Sequence, residues 1–538
     1  MTSRAYETLD NGDDAPAVYE VEGLARDIPD VIKLPGSQRS LGAMAVALVT
    51  FAAVAGGAFG IEAAVGAAGA LPVLVGSVVL AFFWSATQAM VAAELATMFP
   101  SNGGYMTWCL HGLGPTAAYV NAGNMIFSAA CNLPLYPVMF ASYVDSSFPG
   151  MSDGALWGVK LLALLFTLAL NVAGIEAVEL AALVLSILVQ VPFIAIPITA
   201  AVTGQTFDWS AVASIAPDWR ANMSVFISTL CWNSQGWMNI GNLAGAVRNP
   251  QRSFPIGLAM AVVAVAACYM IPVALCVALA PDLSAWNTGY FTTLGGNVAP
   301  WLGPLTTVAA AMSAANNFVP QLGTTARALR FAALYNMVPV SQLRRNWART
   351  GAPVPALLLQ AVLVGVLMSF SFGVLVTVNV MFYNVGLALQ FAAFLRLKYT
   401  QPTLLRPYAV PGGRTGAWIV VLSFASVLAV SLWAAMIDAG VALAGVAGVN
   451  VVFLIAGLAW TRWGFIEGTM EAVDEAEASG ADPAAAAAAV DLKSRASALL
   501  PRPSARWWAA SRWGGIADVS IDAAALNDGS ETHEGDEN

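Results

Sequence analysis

Metal-binding side chains are scarce in this chain. Its 538 residues include two histidines, His111 and His533, so no histidine metal site can be built. The five cysteines (Cys109, Cys131, Cys231, Cys268 and Cys276) fall in or near apolar segments without disulfide or metal spacing and read as small packing residues. Charge is scarce as well. Asp, Glu, Lys and Arg make up 10% of residues, against about 25% in soluble domains. Much of the acid behind the net charge of −9 lies in two polar tails, Glu7 to Asp30 and Glu467 to Asn538, and nucleic acid is not a plausible partner. No nucleophile–base set and no phosphate-binding glycine loop is visible, which removes enzymes and ATP-driven pumps and leaves no cofactor to expect. The first forty or so residues are acidic and polar, unlike a cleavable signal peptide.

Apolar sequence is what the chain has in abundance: 58% of residues are hydrophobic and the mean hydropathy is +0.70. Runs of about 20 apolar residues, each enough to cross a bilayer, recur from Leu41 to Trp460. They read as a dozen spans at roughly 41–67, 71–98, 115–144, 155–173, 178–203, 222–246, 255–280, 301–322, 353–372, 374–395, 416–438 and 440–461. Lys and Arg gather in cytoplasmic loops. With both ends inside, the inner loops hold Arg248, Arg252, Arg327, Arg330, Arg344, Arg345, Arg349, Arg396, Lys398, Arg406 and Arg414, while the outer segments hold only Lys160 and Arg220. The expectation is an all-α polytopic membrane protein with cytosolic termini, most naturally in the plasma membrane. Arg327 to Arg349 reads as a loop with a short surface helix, and Phe99 to Pro115 as a loop of amphipathic character, with re-entry into the membrane as an option. The tail segment Arg502 to Trp513 interleaves arginine and tryptophan as an interfacial lipid anchor would, although a disordered tail fits equally.

One stretch violates the apolar pattern. Gly56, Gly57, Phe59, Gly60 and Glu62 sit mid-span, where glycine costs about 1 kcal/mol in a helix and a carboxylate costs more. Non-helical backbone at membrane depth survives where it is buried in protein or lines a cavity. Transporters built from two inverted repeats place one broken helix in each. Five spans later, Trp232, Asn233, Gln235, Gly236 and Trp237 form the matching polar and glycine cluster. Freed N–H groups at such breaks attract carboxylates, and freed carbonyls attract cations, so the pair suits a small zwitterion or an amine. Close helix packing alone would account for the glycines, but not for Glu62, Asn233 and Gln235.

Several stretches together resemble the amino acid–polyamine–organocation superfamily, and more narrowly its polyamine and amino acid permeases of plants, algae and protozoa. They are GGAFGIEAAVGAAGALP (56–72), FFWSATQAMVAAELATMFPSNGGYMTW (82–108), LYPVMFASYV (135–144), CWNSQGW…LAGAVRNPQRSFP (231–255) and RTGAPVP (349–355). The resemblance implies a leucine-transporter-like fold: repeat one over 40–203, repeat two over 204–396, two accessory helices over 397–462, and tails at 1–39 and 463–538. It also implies uptake of amino acids or small amines coupled to protons, with polyamine uptake, sodium coupling or exchange as alternatives. By position, Gly56, Gly57, Phe59 and Gly60 would cradle the substrate against Trp232, Asn233, Gln235 and Trp237, with Tyr136 facing it. Glu62 would bind an amine or carry a proton, or else lock the first helix. Glu94 would serve an inner gate or a structural pair. Ser313, Asn316 and Asn317 would coordinate sodium in a sodium-coupled member, or hydrogen-bond between helices. Met238 and Ala246 stand where polyamine carriers of this kind keep acids, and residues 178–203 lack the lysine through which some bacterial relatives couple protons.

Overall fold

The computed structural model describes residues 42–99, 104–173, 188–238, 250–334 and, with short gaps, 337–463. Both tails, residues 174–187 with the first part of the fifth span, and the stretch from 239 to 249 lie outside the described residues, and so do the interfacial anchor expected at 502–513 and the departure at Ala246. The described residues are helical, without strands.

The first span is not one helix. α1 (Ala43–Val54) stops at Ala55, and α2 (Glu62–Ala68) starts a new one. α3 (Ala70–Leu80) passes through a π turn, Ala81–Ser85, into α4 (Ala86–Met98). The π turn swings Trp84 inward, where it stacks on Phe424 at 5.6 Å. α5 (Gly104–Leu113) is the short amphipathic segment expected between Phe99 and Pro115, and it packs tightly: a Cβ on Gly112 would lie 2.6 Å from that of Ala393. α6 (Pro115–Asn132) and α7 (Leu135–Ser147) form one long span with a turn at Leu133 and Pro134. α8 (Asp153–Ala173), α9 (Val191–Val202) and α10 (Met223–Trp232) follow.

α10 ends inside the membrane span, at Asn233, five spans after the first break and at the place the repeat requires. α11 (Pro250–Leu279) runs against α1, so closely that a Cβ on Gly257 would meet the carbonyl oxygen of Ala43 at 2.6 Å. α12 (Tyr290–Val298) is a short helix before α13 (Leu302–Leu334), and α14 (Val354–Leu367), α15 (Phe372–Thr400), α16 (Gly413–Asp438) and α17 (Gly440–Trp463) complete the order. α13 departs from the sequence expectation: it runs on past 322, so Arg327 and Arg330 ride on its last turns instead of a separate surface helix. Among the described residues that follow, a 3₁₀ turn at Ser341–Arg344 is the one helical element before α14. The Arg330 guanidinium donates to the Arg344 carbonyl (2.8 Å) and that of Arg344 to the Ala333 carbonyl (3.1 Å), which caps the extended helix.

Among the described residues, seven helical segments are long and apolar enough to cross a membrane, Ala70–Met98, Pro115–Ser147 and Phe372–Thr400 among them, and three shorter apolar helices join them. Phe82, Leu162, Val263 and Leu422 point outward, as lipid-facing side chains do. The protein is an integral membrane protein. At the face away from the arginine loops, Asp208 and Asp282 each cap a 3₁₀ turn, accepting the backbone N–H of Ser210 or Ser284 at 3.0 Å. The serine hydroxyls, and then those N–H groups, hold both carboxyls below the usual range, so these acids act as turn caps.

Candidate functional site

The first break is written in glycine. Gly57 (φ 85°) and Gly60 (φ 87°) adopt left-handed backbone that other L-residues avoid. Each glycine also meets a neighbour where a Cβ would stand. At Gly56 that neighbour is Asn317 of α13. At Gly57 it is Val189, 2.5 Å away, and at Gly60 it is the Trp232 ring, 2.9 Å away. The break is therefore a junction of three elements. Ser313 donates to the carbonyl of Gly56, and Asn317 Nδ2 donates to the Ser313 carbonyl at 3.1 Å. Gly60→Ala combines left-handed strain of about 1–2 kcal/mol with a methyl driven into Trp232. The expected outcome is folded protein with a lowered melting temperature and loss of most uptake, measured side by side.

Glu62 opens α2 and is fully buried. Its carboxylate accepts the Gly60 N–H (2.6 Å), the Tyr143 hydroxyl of α7, and the Gly289 N–H at the cap of α12 (3.4 Å). A carboxylate at a helix start is also favoured by the dipole. Phe59 packs edge-on against Tyr143, with centroids 5.0 Å apart, and against Phe193 at 4.8 Å. Glu62 thus joins three elements, and its hydrogen-bond partners come from outside the second break.

The second break faces the first. Trp232 lies on Gly60 and, edge-on, on Phe372 at 5.4 Å. Its indole N–H donates to Asn132 Oδ1 at 2.6 Å. Asn132 donates to Gln321 Oε1 (2.6 Å), and Gln321 donates to the Tyr136 hydroxyl (2.7 Å). Trp232, Tyr136, Asn132 and Gln321 therefore form one closed polar network drawn from α10, α7, α6 and α13. Tyr136 was legible in the LYP stretch. Asn132, one turn earlier, and Gln321 were not singled out, since each is one of three amides in its span. Asn233 caps α10 by donating to the Thr229 carbonyl (3.0 Å). Gln235 reaches Asn379 of α15, and Trp237 is fully buried. A cavity of about 20 Å³ touches both breaks, with Ile61 from the first, Asn233 and Ser234 from the second, and Tyr269 of α11. That is room for about one water, so the breaks are nearly closed on each other.

Glu94 lies apart from this centre. It accepts Lys398 Nζ (2.8 Å), Arg406 Nε (3.0 Å) and the Val410 N–H (2.7 Å), which clasps α4 to the segment that links α15 to α16. Arg406 also spans the carbonyls of Leu397, Gln401, Pro402 and Leu404.

Broken helices, their spacing and their facing walls describe a carrier, and comparison gives the lineage. The Amino acid permease family model matches residues 41–459, most of the chain. The chain belongs to that family. This permease is 31% identical over 425 residues to Polyamine transporter PUT1 of Oryza sativa subsp. japonica, covering 78% of each chain. It is 32% identical over 375 residues to Polyamine transporter RMV1 of Arabidopsis thaliana, covering 69% of this permease and 76% of the relative. A probable polyamine transporter of the same plant is 33% identical over 395 residues, covering 72% and 81%. The permease has the leucine-transporter-like fold that its two breaks mark, and it is a transporter rather than an enzyme.

Proposed function

We propose that this permease is a proton-coupled symporter of amino acids or small organic amines, working by alternating access from the plasma membrane with both termini in the cytoplasm. The observation that carries the reading is the joint at Glu62, whose three described partners are all donors. An ionised carboxylate is acceptor-only, and a protonated one must itself donate. Protonation turns one carboxylate acceptor into a donor, so the Tyr143 hydroxyl must turn round to accept it and give up its own acceptor, which weakens the hold of α2 on α7. A proton arriving at this one atom pair changes the hold on the first broken helix, which is what coupling requires. Sodium coupling through α13 finds less support. Ser313 and the Gly56 carbonyl already hydrogen-bond to each other, so an ion would have to share oxygens that have one another as partners.

Monovalent substrates are favoured by the state of the carboxylates. A polyamine buries several ammonium groups, and each needs a partner. Glu62 and Glu94 are fully engaged by protein donors, and Met238 stands where polyamine carriers keep an acid. Polyamine uptake is the second reading, favoured by the names of the plant relatives. Competition against a radiolabelled tracer by leucine, arginine, putrescine and spermidine separates the two. The expected result is displacement by an amino acid or a single small amine at concentrations where spermidine is inert. Spermidine as the strongest competitor would overturn the assignment in favour of polyamines.

A further inference from the structure

α15 carries two hydrogen-bond relays one helical turn apart, and both end on a glutamine. In the first, the Ser128 hydroxyl donates to Asn379 Oδ1 (2.7 Å), and Asn379 Nδ2 donates to Gln235 Oε1 (3.2 Å). In the second, the Gly236 N–H donates to the Tyr383 hydroxyl (3.5 Å), which donates to Gln88 Oε1 (3.1 Å). The direction of each relay fixes the amide. Turning Gln88 over would put two donors on the Tyr383 oxygen and strand its proton, so Gln88 keeps its oxygen on Tyr383 and presents its NH₂ group elsewhere. Gln235 presents its NH₂ in the arrangement in which the Ser128 hydroxyl donates to Asn379. Neither Gln88 Nε2 nor Gln235 Nε2 has an acceptor among the described residues, although both atoms are shut off from solvent and Gln88 is wholly buried.

Two indoles extend the pattern, and an indole N–H is donor-only. Trp84, one turn before Gln88, lies 6.4 Å from the Tyr383 ring. Trp237 follows directly on Gly236. Both are fully buried with Nε1 lacking an acceptor among the described residues. Buried donors are nearly always paired. Gln88 and Trp84 touch Tyr383, and Gln235 and Trp237 flank the Gly236 that donates to it; four such buried donors without an acceptor among the described residues suit an acceptor that arrives from outside. The first break is the poorer host for such a group, because the Gly60 N–H is already taken by the negative charge of Glu62.

We propose that Gln88 and Gln235, with the Trp84 and Trp237 indoles beside them, form the site that takes the carboxylate of the substrate, which makes the substrate an amino acid and not its decarboxylated amine. The proposal rests on reading the chain as an amino acid or amine carrier and narrows that reading. Matched pairs test it: lysine with cadaverine, arginine with agmatine, and leucine with isopentylamine, each titrated against the purified full chain in lipid nanodiscs with thermal stabilisation as the readout. The expected result is that at least one amino acid binds on the order of 100-fold more tightly than its amine, as for sites built to hydrogen-bond a group that the analogue lacks. Gln88→Glu keeps the Tyr383 relay, since a carboxylate oxygen still accepts that hydroxyl, but it replaces the free donors with an acceptor. It is expected to erase or reverse the preference, read as the ratio of amino acid to amine affinity within each pair, which a merely structural glutamine would not do. Equal binding of both members of every pair, or of neither, overturns the carboxylate site. Stabilisation by chloride alone, absent in gluconate, overturns it too and assigns the donors to a free halide. Tight binding of the amines leaves proton-coupled transport standing while removing this site.

Discussion

Glu62→Gln is expected to cut uphill uptake by roughly 100-fold, equivalent to about 2.7 kcal/mol, while substrate exchange across the membrane persists. Three donors converge on two carboxylate oxygens. Glutamine offers one oxygen and an NH₂ group that must face one of those donors, and a stranded buried donor costs about 1–3 kcal/mol. Glutamine also cannot take up a proton, so the cycle loses its coupling step even where the joint holds. Tyr143→Phe is the control. It removes one donor, costs about 1 kcal/mol, and leaves a titratable carboxylate, so proton-driven uptake should survive at reduced rate. Uphill uptake of wild-type size and pH dependence in Glu62→Gln would reduce Glu62 to a structural pin.

The second large effect is at the clasp. Glu94→Ala leaves Lys398 and Arg406 without their counter-charge and the Val410 N–H without its acceptor, in surroundings where Glu94 is 1% and Lys398 8% exposed. Breaking a buried pair from one side costs about 3–5 kcal/mol, a large part of the stability of most proteins. The expected outcome is little monodisperse protein after extraction. Glu94→Gln combined with Lys398→Met should recover most of it, because the ammonium is gone and Arg406 retains its carbonyl partners on the 397–404 stretch. A melting temperature for Glu94→Ala within a degree or so of wild type would show the clasp to be dispensable.

The breaks were legible in the sequence because they are local. Gly56 to Glu62 and Trp232 to Trp237 interrupt apolar runs with residues that are costly there, and no partner need be known to see it. Their pairing was legible because inverted repeats fix the interval. What the breaks touch was not legible. Glu62 meets Tyr143 and Gly289, which lie 81 and 227 residues away, and Glu94 meets Lys398 and Arg406 beyond 300. A single sequence carries no sign of such contacts. Asn132, Gln321, Gln88 and Asn379 were visible only as polar residues within apolar spans, and helix packing explains such residues as readily as a site does. The length of α13 was missed for a different reason. The arginines at 327 and 330 end the apolar run at about 322, yet the Arg330 side chain is satisfied by the Arg344 carbonyl of the 3₁₀ turn that follows, so the helix continues where hydropathy stops.

The central claim is that a proton gradient drives substrate past the two breaks, and accumulation in sealed vesicles tests it most directly. With an inward proton gradient and no sodium, labelled substrate should rise above its external concentration, and a protonophore should bring it back to equilibrium. Uptake that still concentrates substrate after both the proton and the sodium gradients are collapsed would contradict the account.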